Sequence, residues 1–109
     1  MIDVDITPEA RADLLDILRY SRFRFGQPAA KRYHQLINAA FAALAEDPLR
    51  PGVLTAGRSL RLFHLRHVKR KANVSDPRHF VVFIQDRRGV RIIRLFHDAM
   101  DLPARLSDV

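Results

Sequence analysis

The chain has 109 residues, no cysteine, 48% hydrophobic and 28% charged residues, and a formal net charge of +7. That length and composition fit one globular domain over residues 1–109 with a single modest core, and they exclude disulfides, thiolate nucleophiles and cysteine metal sites. No apolar run approaches the roughly 20 residues that span a bilayer, and the N-terminus lacks the basic-then-apolar order of a signal peptide, so a soluble, cytoplasmic protein without membrane contact is expected.

Ile2, Val4 and Ile6 alternate with Asp3 and Asp5, the pattern of a half-buried strand. Aspartates on its outer face suit a sheet edge, where charge discourages pairing with another molecule. Thr7-Pro8-Glu9 then opens a helix: Thr7 caps it, Pro8 fits its first position, and Glu9 lies at the positive end of the dipole. Ala10, Leu14, Ile17, Leu18 and Ser21 share one face, with Asp13, Asp16 and Arg19 assigned to the other. Gly26 stops the helix and Pro28 opens a second. Its stripe of Ala29, Ala30, Tyr33, Leu36, Ile37, Ala40, Phe41 and Leu44 predicts an antiparallel helical hairpin over residues 8–46. Glu46-Asp47-Pro48 ends it, and 49–57 reads as a loop rich in proline and glycine.

Ser59–His67 has strand-like content with imperfect alternation, and the following HVKRKANVSDPR reads as a basic loop. Two strands close the chain, Phe80–Gln85 and Val90–Phe96, joined by the turn Asp86-Arg87-Arg88-Gly89. The order is β-α-α-β-β-β: an α+β domain with the N-terminal strand and helical hairpin packed on an antiparallel sheet. The helices cover one side of that sheet, and the other is expected to be basic and open to water or a partner.

Charge is segregated. From Arg58 to Arg94 there are eleven basic residues against two acids, whereas residues 1–57 are close to neutral. Such asymmetry points to an anionic partner, either nucleic acid or an acidic protein surface. Arginine supplies 16 of the 19 basic residues, and its planar fork suits carboxylates and phosphates. The five histidines form no HExxH or comparable ligand spacing, and no glycine-rich phosphate loop or nucleophile elbow occurs. No cofactor or metal is therefore expected. A metal-free ribonuclease site could still be assembled from His97 with Arg61, Arg78 and Arg94, the histidine moving protons and the arginines stabilising charge. The other reading of His97 is a strand cap bonded to the tail.

The helix TPEARADLLDILRYSRFRFG, the second helix AAKRYHQLINAAFAALAEDPLRPG, the strand start LRLF and the closing RIIRLFHDAMDLPARL occur in an order and spacing that resemble the ParE branch of the RelE/ParE toxin superfamily. The resemblance spans essentially the whole chain. It implies a small α+β toxin of a type II toxin–antitoxin pair, not an enzyme, that inhibits DNA gyrase and is neutralised by a ParD-like antitoxin. On that reading Arg61, Arg66, Arg91 and Arg94 are the antitoxin contacts, and the tail residues Asp98, Met100, Asp101, Leu102 and Arg105 engage the target. The RelE-like alternative is a ribosome-dependent mRNA endonuclease, since Arg78 and His97 resemble in position the catalytic arginine and histidine of one nuclease subgroup. It lacks an evident carboxylate partner. Direct nucleic-acid binding is a third reading, with few aromatics in the basic region to stack on bases.

Overall fold

A computed structural model describes residues 3–57 and 59–109; the expectations for Ile2 and Arg58 lie outside the described residues. Strand β1 (Asp3–Ile6) leads through Thr7 into α1 (Pro8–Phe25). The Thr7 side chain accepts from the Ala10 N–H as the N-cap. Gly26, at φ 94°, turns the chain directly into α2 (Gln27–Glu46), a conformation costly for any residue with a Cβ. The predicted hairpin over residues 8–46 is present almost to the residue.

After α2 come β2 (Leu54–Thr55), β3 (Arg61–His64), a 3-10 helix (Leu65–Lys71), β4 (His79–Gln85), β5 (Gly89–His97) and a short α3 (Leu102–Ser107). They form one five-stranded sheet in the order β1-β5-β4-β3-β2. The β2–β3–β4–β5 part is antiparallel, as expected, while β1 runs parallel to β5 from Asp3↔Gly89 to Ile6↔Ile92. Strand β1 does sit at an edge, with Asp5 exposed on it.

Three expectations need correction. The strand over Ser59–His67 is shorter, and the basic loop after it begins as a 3-10 helix. Leu65 and Val68 turn inward at its i, i+3 spacing, which takes the chain out of the sheet. Residues 54–55, within the expected loop, form the short edge strand β2. Third, the sheet face opposite the helices is apolar: Leu60, Leu62, Val82 and Phe96 form a second cluster, against which Leu102, Leu106 and Val109 of the C-terminal segment pack. The first cluster, with Leu36, Ile37, Leu44, Phe63, Phe83 and Ile92, lies between sheet and helices.

A bulge makes both faces possible on β5. Val82 pairs with Arg94 but Phe83 with Ile92, so Ile93 is an extra residue. Val90, Ile92 and Leu95 thereby face the helices, and Ile93 and Phe96 face the tail. Where β1 ends, side chains finish the free edge of β5. The Thr7 hydroxyl donates to the Ile93 carbonyl at 2.9 Å, and the Asp13 carboxylate accepts from the Leu95 N–H at 3.0 Å. Asp13 also takes a two-pronged contact from Arg94, at 2.7 Å from Nε and 3.0 Å from Nη2. Asp13 therefore faces the sheet, not solvent as its helical position suggested. Among the described residues no helix is long and apolar enough to cross a membrane.

Candidate functional site

The antiparallel register places His79 opposite His97 and His64 opposite Phe80. Histidines distant in sequence thus meet at one end of the sheet, next to the start of the C-terminal tail. Asp98, the first residue after β5, forms a clasp there with His64 and Arg78. Its Oδ2 accepts from His64 Nε2 at 2.9 Å and its Oδ1 from Arg78 Nε at 3.0 Å, while its backbone N–H donates to the Arg78 carbonyl at 2.8 Å. His64 is buried, and its Nδ1 accepts from the Arg66 N–H. Nε2 is therefore the protonated nitrogen that faces Asp98. Burial works against the Asp98 charge, but the bonds from His64 and Arg78 outweigh it and hold this carboxyl below its ordinary value.

A second relay adjoins the first. The Arg78 N–H donates to the Tyr33 hydroxyl at 3.1 Å. The hydroxyl in turn lies 2.6 Å from His79 Nδ1. His79 sits edge-on to His97, ring centroids 5.1 Å apart. Burial, followed by the field of His97, pushes the His79 pKa down to about 4. Burial pushes Tyr33 up to about 12 against the opposing bond from the Arg78 backbone. His97 Nδ1 accepts from the Ala99 N–H at 3.0 Å, so its strand-capping bond to the tail is present. Among the described residues no cluster of three or more His, Asp or Glu side chains could hold a metal ion.

Tyr33, Arg78, His79 and His97 form one wall of a groove of about 890 Å³ that continues between the start of α2 and the far half of α1. Its opposite wall carries Ile17, Tyr20 and Phe25, and the last two are 61% and 67% exposed. Asp16, Arg32 and Asp76 place charges of both signs at its rim. The groove suits an extended or helical apolar segment better than a small compact ligand.

The residues proposed from the sequence are dispersed. Of the nuclease set, Arg78 and His97 come together near Asp98, whose Oδ1 lies 3.0 Å from Arg78 Nε and 3.7 Å from His97 Nδ1. Arg94 is instead held by Asp13 and stacks over Phe96 at 4.8 Å, and Asp13 raises its pKa further. Arg61 sits in β3, separated from β5 by β4. Of the expected antitoxin contacts, Arg91 pairs with Asp5 at 3.4 Å, Arg94 pairs with Asp13, and Arg66 is exposed on the 3-10 helix. In the tail, Asp98 is built into the clasp, Leu102 is half-buried against the second apolar cluster, and Met100, Asp101 and Arg105 are exposed. Asp101 caps α3 by accepting from the Ala104 N–H. Sequence reasoning passed over Tyr33, His64 and His79. Tyr33 read as part of the apolar stripe of α2, and His64 and His79 stand at strand ends whose register was unknown.

Residues 4–102 match the family described as the ParE toxin of the type II toxin–antitoxin system parDE. The chain belongs to the ParE toxin family. Within that family it is similar to Toxin ParE of Escherichia coli, 31% identical over 107 residues that cover 94% of this chain and 91% of the relative. Its fold resembles a solved chain from the chromosomal ParDE toxin–antitoxin system of P. aeruginosa, with a TM-score of 0.69 at 17% identity, covering 89% of this chain and 96% of that one. The α+β order expected from periodicity is thus the architecture of a ParE toxin.

Proposed function

We propose that this ParE-family chain inhibits DNA gyrase without bond-making chemistry of its own, and that a ParD-like antitoxin holds it inactive. The match to ParE toxins over residues 4–102 carries this reading. The state of the clasp supports it, because the groups that could serve acid–base chemistry are already engaged internally. Asp98 accepts from His64 and Arg78, and Tyr33 is bonded on both sides. An amphipathic antitoxin segment fits the groove beside Tyr20 and Phe25. Of the arginines expected to contact it, Arg61 and Arg66 supply charge complementary to acidic residues on that partner, whereas Arg91 and Arg94 are held by Asp5 and Asp13. The exposed tail positions Met100, Asp101 and Arg105, with Asp98 and Leu102 holding the tail in place, are the target-facing residues. The decisive assay is supercoiling by purified gyrase with this protein added, then with its antitoxin. The expected result is inhibition that the antitoxin reverses, and full supercoiling activity at every toxin ratio would refute it.

One observation favours the second reading, a ribosome-dependent mRNA endonuclease: Arg78, His79 and His97 share the wall of an accessible groove. Primer extension on ribosome-bound mRNA discriminates. Codon-phased cleavage that is lost in His97→Ala would establish the nuclease.

A further inference from the structure

Most cations of this protein form no ion pair among the described residues, and what sets one group apart is its concentration on a single short segment. Arg19, Arg78, Arg91 and Arg94 each lie within ion-pair distance of an aspartate. Residues 59–75 contain Arg61, Arg66, Lys69, Arg70 and Lys71 and no acidic residue. Among the described residues none of these five forms an ion pair. Four of them fall on the 3-10 segment Leu65–Lys71, which kinks at Val68 (φ −127°, ψ 16°). Leu65 and Val68 are buried at i, i+3 and fix one edge of the element against the core. Arg66, Lys69, Arg70 and Lys71 are all exposed.

The element is also rigidly backed. His67 stacks on Phe63 at 5.3 Å, the His64 imidazole accepts from the Arg66 N–H, and Ala72 is buried where the helix ends. The cations are therefore displayed from a fixed ridge, and little backbone order is lost when they engage a partner. The pKa of His67 is lowered by burial and then by Arg66, His64 and Arg50, as a concentration of positive charge requires.

We propose that this 3-10 ridge is a docking surface for the phosphate backbone of double-stranded DNA, a partner beyond gyrase and antitoxin. Guanidinium and ammonium groups without internal partners fit phosphates. The ridge carries no exposed Phe, Tyr or Trp side chain, and its one exposed imidazole, His67, is stacked on Phe63, so it suits a stacked duplex read by its backbone better than a single strand read by stacking. The four cations lie within six consecutive residues, Arg66 to Lys71. Duplex DNA presents one charge per about 1.7 Å of axis, so all four cations can find phosphates.

The test is fluorescence anisotropy of the full chain with a 20-base-pair duplex across salt. Four phosphate contacts predict a slope of log K against log salt of about −3.6, or roughly 150-fold weaker binding between 50 and 200 mM. The variant Arg66→Gln/Lys69→Gln/Arg70→Gln/Lys71→Gln should bring the slope above about −1. Arg11→Gln/Arg22→Gln/Arg24→Gln/Lys31→Gln removes the same charge from the helices and should leave the slope near wild type. If the quadruple ridge variant does not fold, as judged by circular dichroism, Lys69→Gln and Arg70→Gln taken singly should each reduce the slope by about 1. A wild-type slope shallower than about −1, or equal losses in ridge and helix variants, would overturn the proposal. Tighter binding of a single-stranded oligonucleotide, or polyglutamate binding as tightly as the duplex, would overturn it in favour of those partners.

Discussion

Asp13→Ala should be among the most destabilising single changes available outside the two apolar clusters. The carboxylate takes two bonds from Arg94 and one from the Leu95 N–H, at 2.7, 3.0 and 3.0 Å, with side-chain exposures of 16% for Asp13 and 33% for Arg94. Hydrogen bonds to charged groups contribute about 1.5–3 kcal/mol, and the partial exposure of Arg94 places this pair at about 1.5 kcal/mol. Stranding the Leu95 N–H adds about 1–3 kcal/mol. A loss of about 3 kcal/mol follows, equivalent to about 12 °C in Tm for a domain of this size. Asp13→Asn keeps an acceptor for Leu95 and loses only the charge, so it should cost about half as much. Urea unfolding followed by far-UV circular dichroism measures both, and a double-mutant cycle with Arg94→Ala should return a coupling of about 1 kcal/mol or more. The reasoning fails if Asp13→Ala stays within about 0.5 kcal/mol of wild type, the range of an ordinary surface substitution.

Acid should weaken the fold in a defined window. His79 titrates at about 4 in the folded protein against an ordinary 6.5. The unfolded chain therefore binds the proton first, and stability is complete above pH 6.5 and lost as pH falls toward 4. At 1.36 kcal/mol per unit the loss is about 3 kcal/mol for this group. Asp98, with its folded value below the unfolded one, adds a further loss as pH falls through the ordinary carboxylate range. Unfolding free energies measured from pH 8 to pH 4 should fall steeply in wild type and less in His79→Gln; identical slopes in the two proteins would contradict this origin. Glycine substitutions separate strain from collision. A Cβ at Gly52 would lie 2.9 Å from the His67 ring, at φ 101°, whereas at Gly57, φ 74°, it meets nothing within 4 Å. Gly57→Ala should cost about 1 kcal/mol from the backbone alone and Gly52→Ala about 3 kcal/mol, since His67 is stacked on Phe63 and cannot withdraw freely. Thermal melts showing equal shifts would refute the contact at Gly52.

Where local chemistry decides structure, the sequence was readable. Thr7 and Pro8 mark the start of α1, Gly26 marks the break to α2, and Asp86–Gly89 marks the last hairpin; all three lie where the residues place them. The failures share one cause. Strand β3 is covered on both sides, as the pairs Leu60/Leu62 and Phe63/Leu65 indicated, so no polar face marked where it ends. The bulge at Ile93 breaks the period on β5. The parallel placement of β1 beside β5 rests on contacts between the two ends of the domain, which no local pattern encodes. The clasp was hidden because His64, His79 and Asp98 acquire their relationship only from register. Charge segregation was legible, but which cations are internally paired was not.

The β1–β5 pairing also has a consequence for how the protein comes into being. Thr7 and Ile93, bonded across this seam, are 86 residues apart in sequence. Closing so large a loop is slow, and it waits until nearly the whole domain has left the ribosome. A nascent chain that stops before β5 has its helical hairpin and part of the sheet. It lacks the strand that joins β1 to β4 and the aspartate that fastens the tail. An interrupted synthesis would yield an incomplete sheet with open edges, suited to degradation, in place of a partially active product.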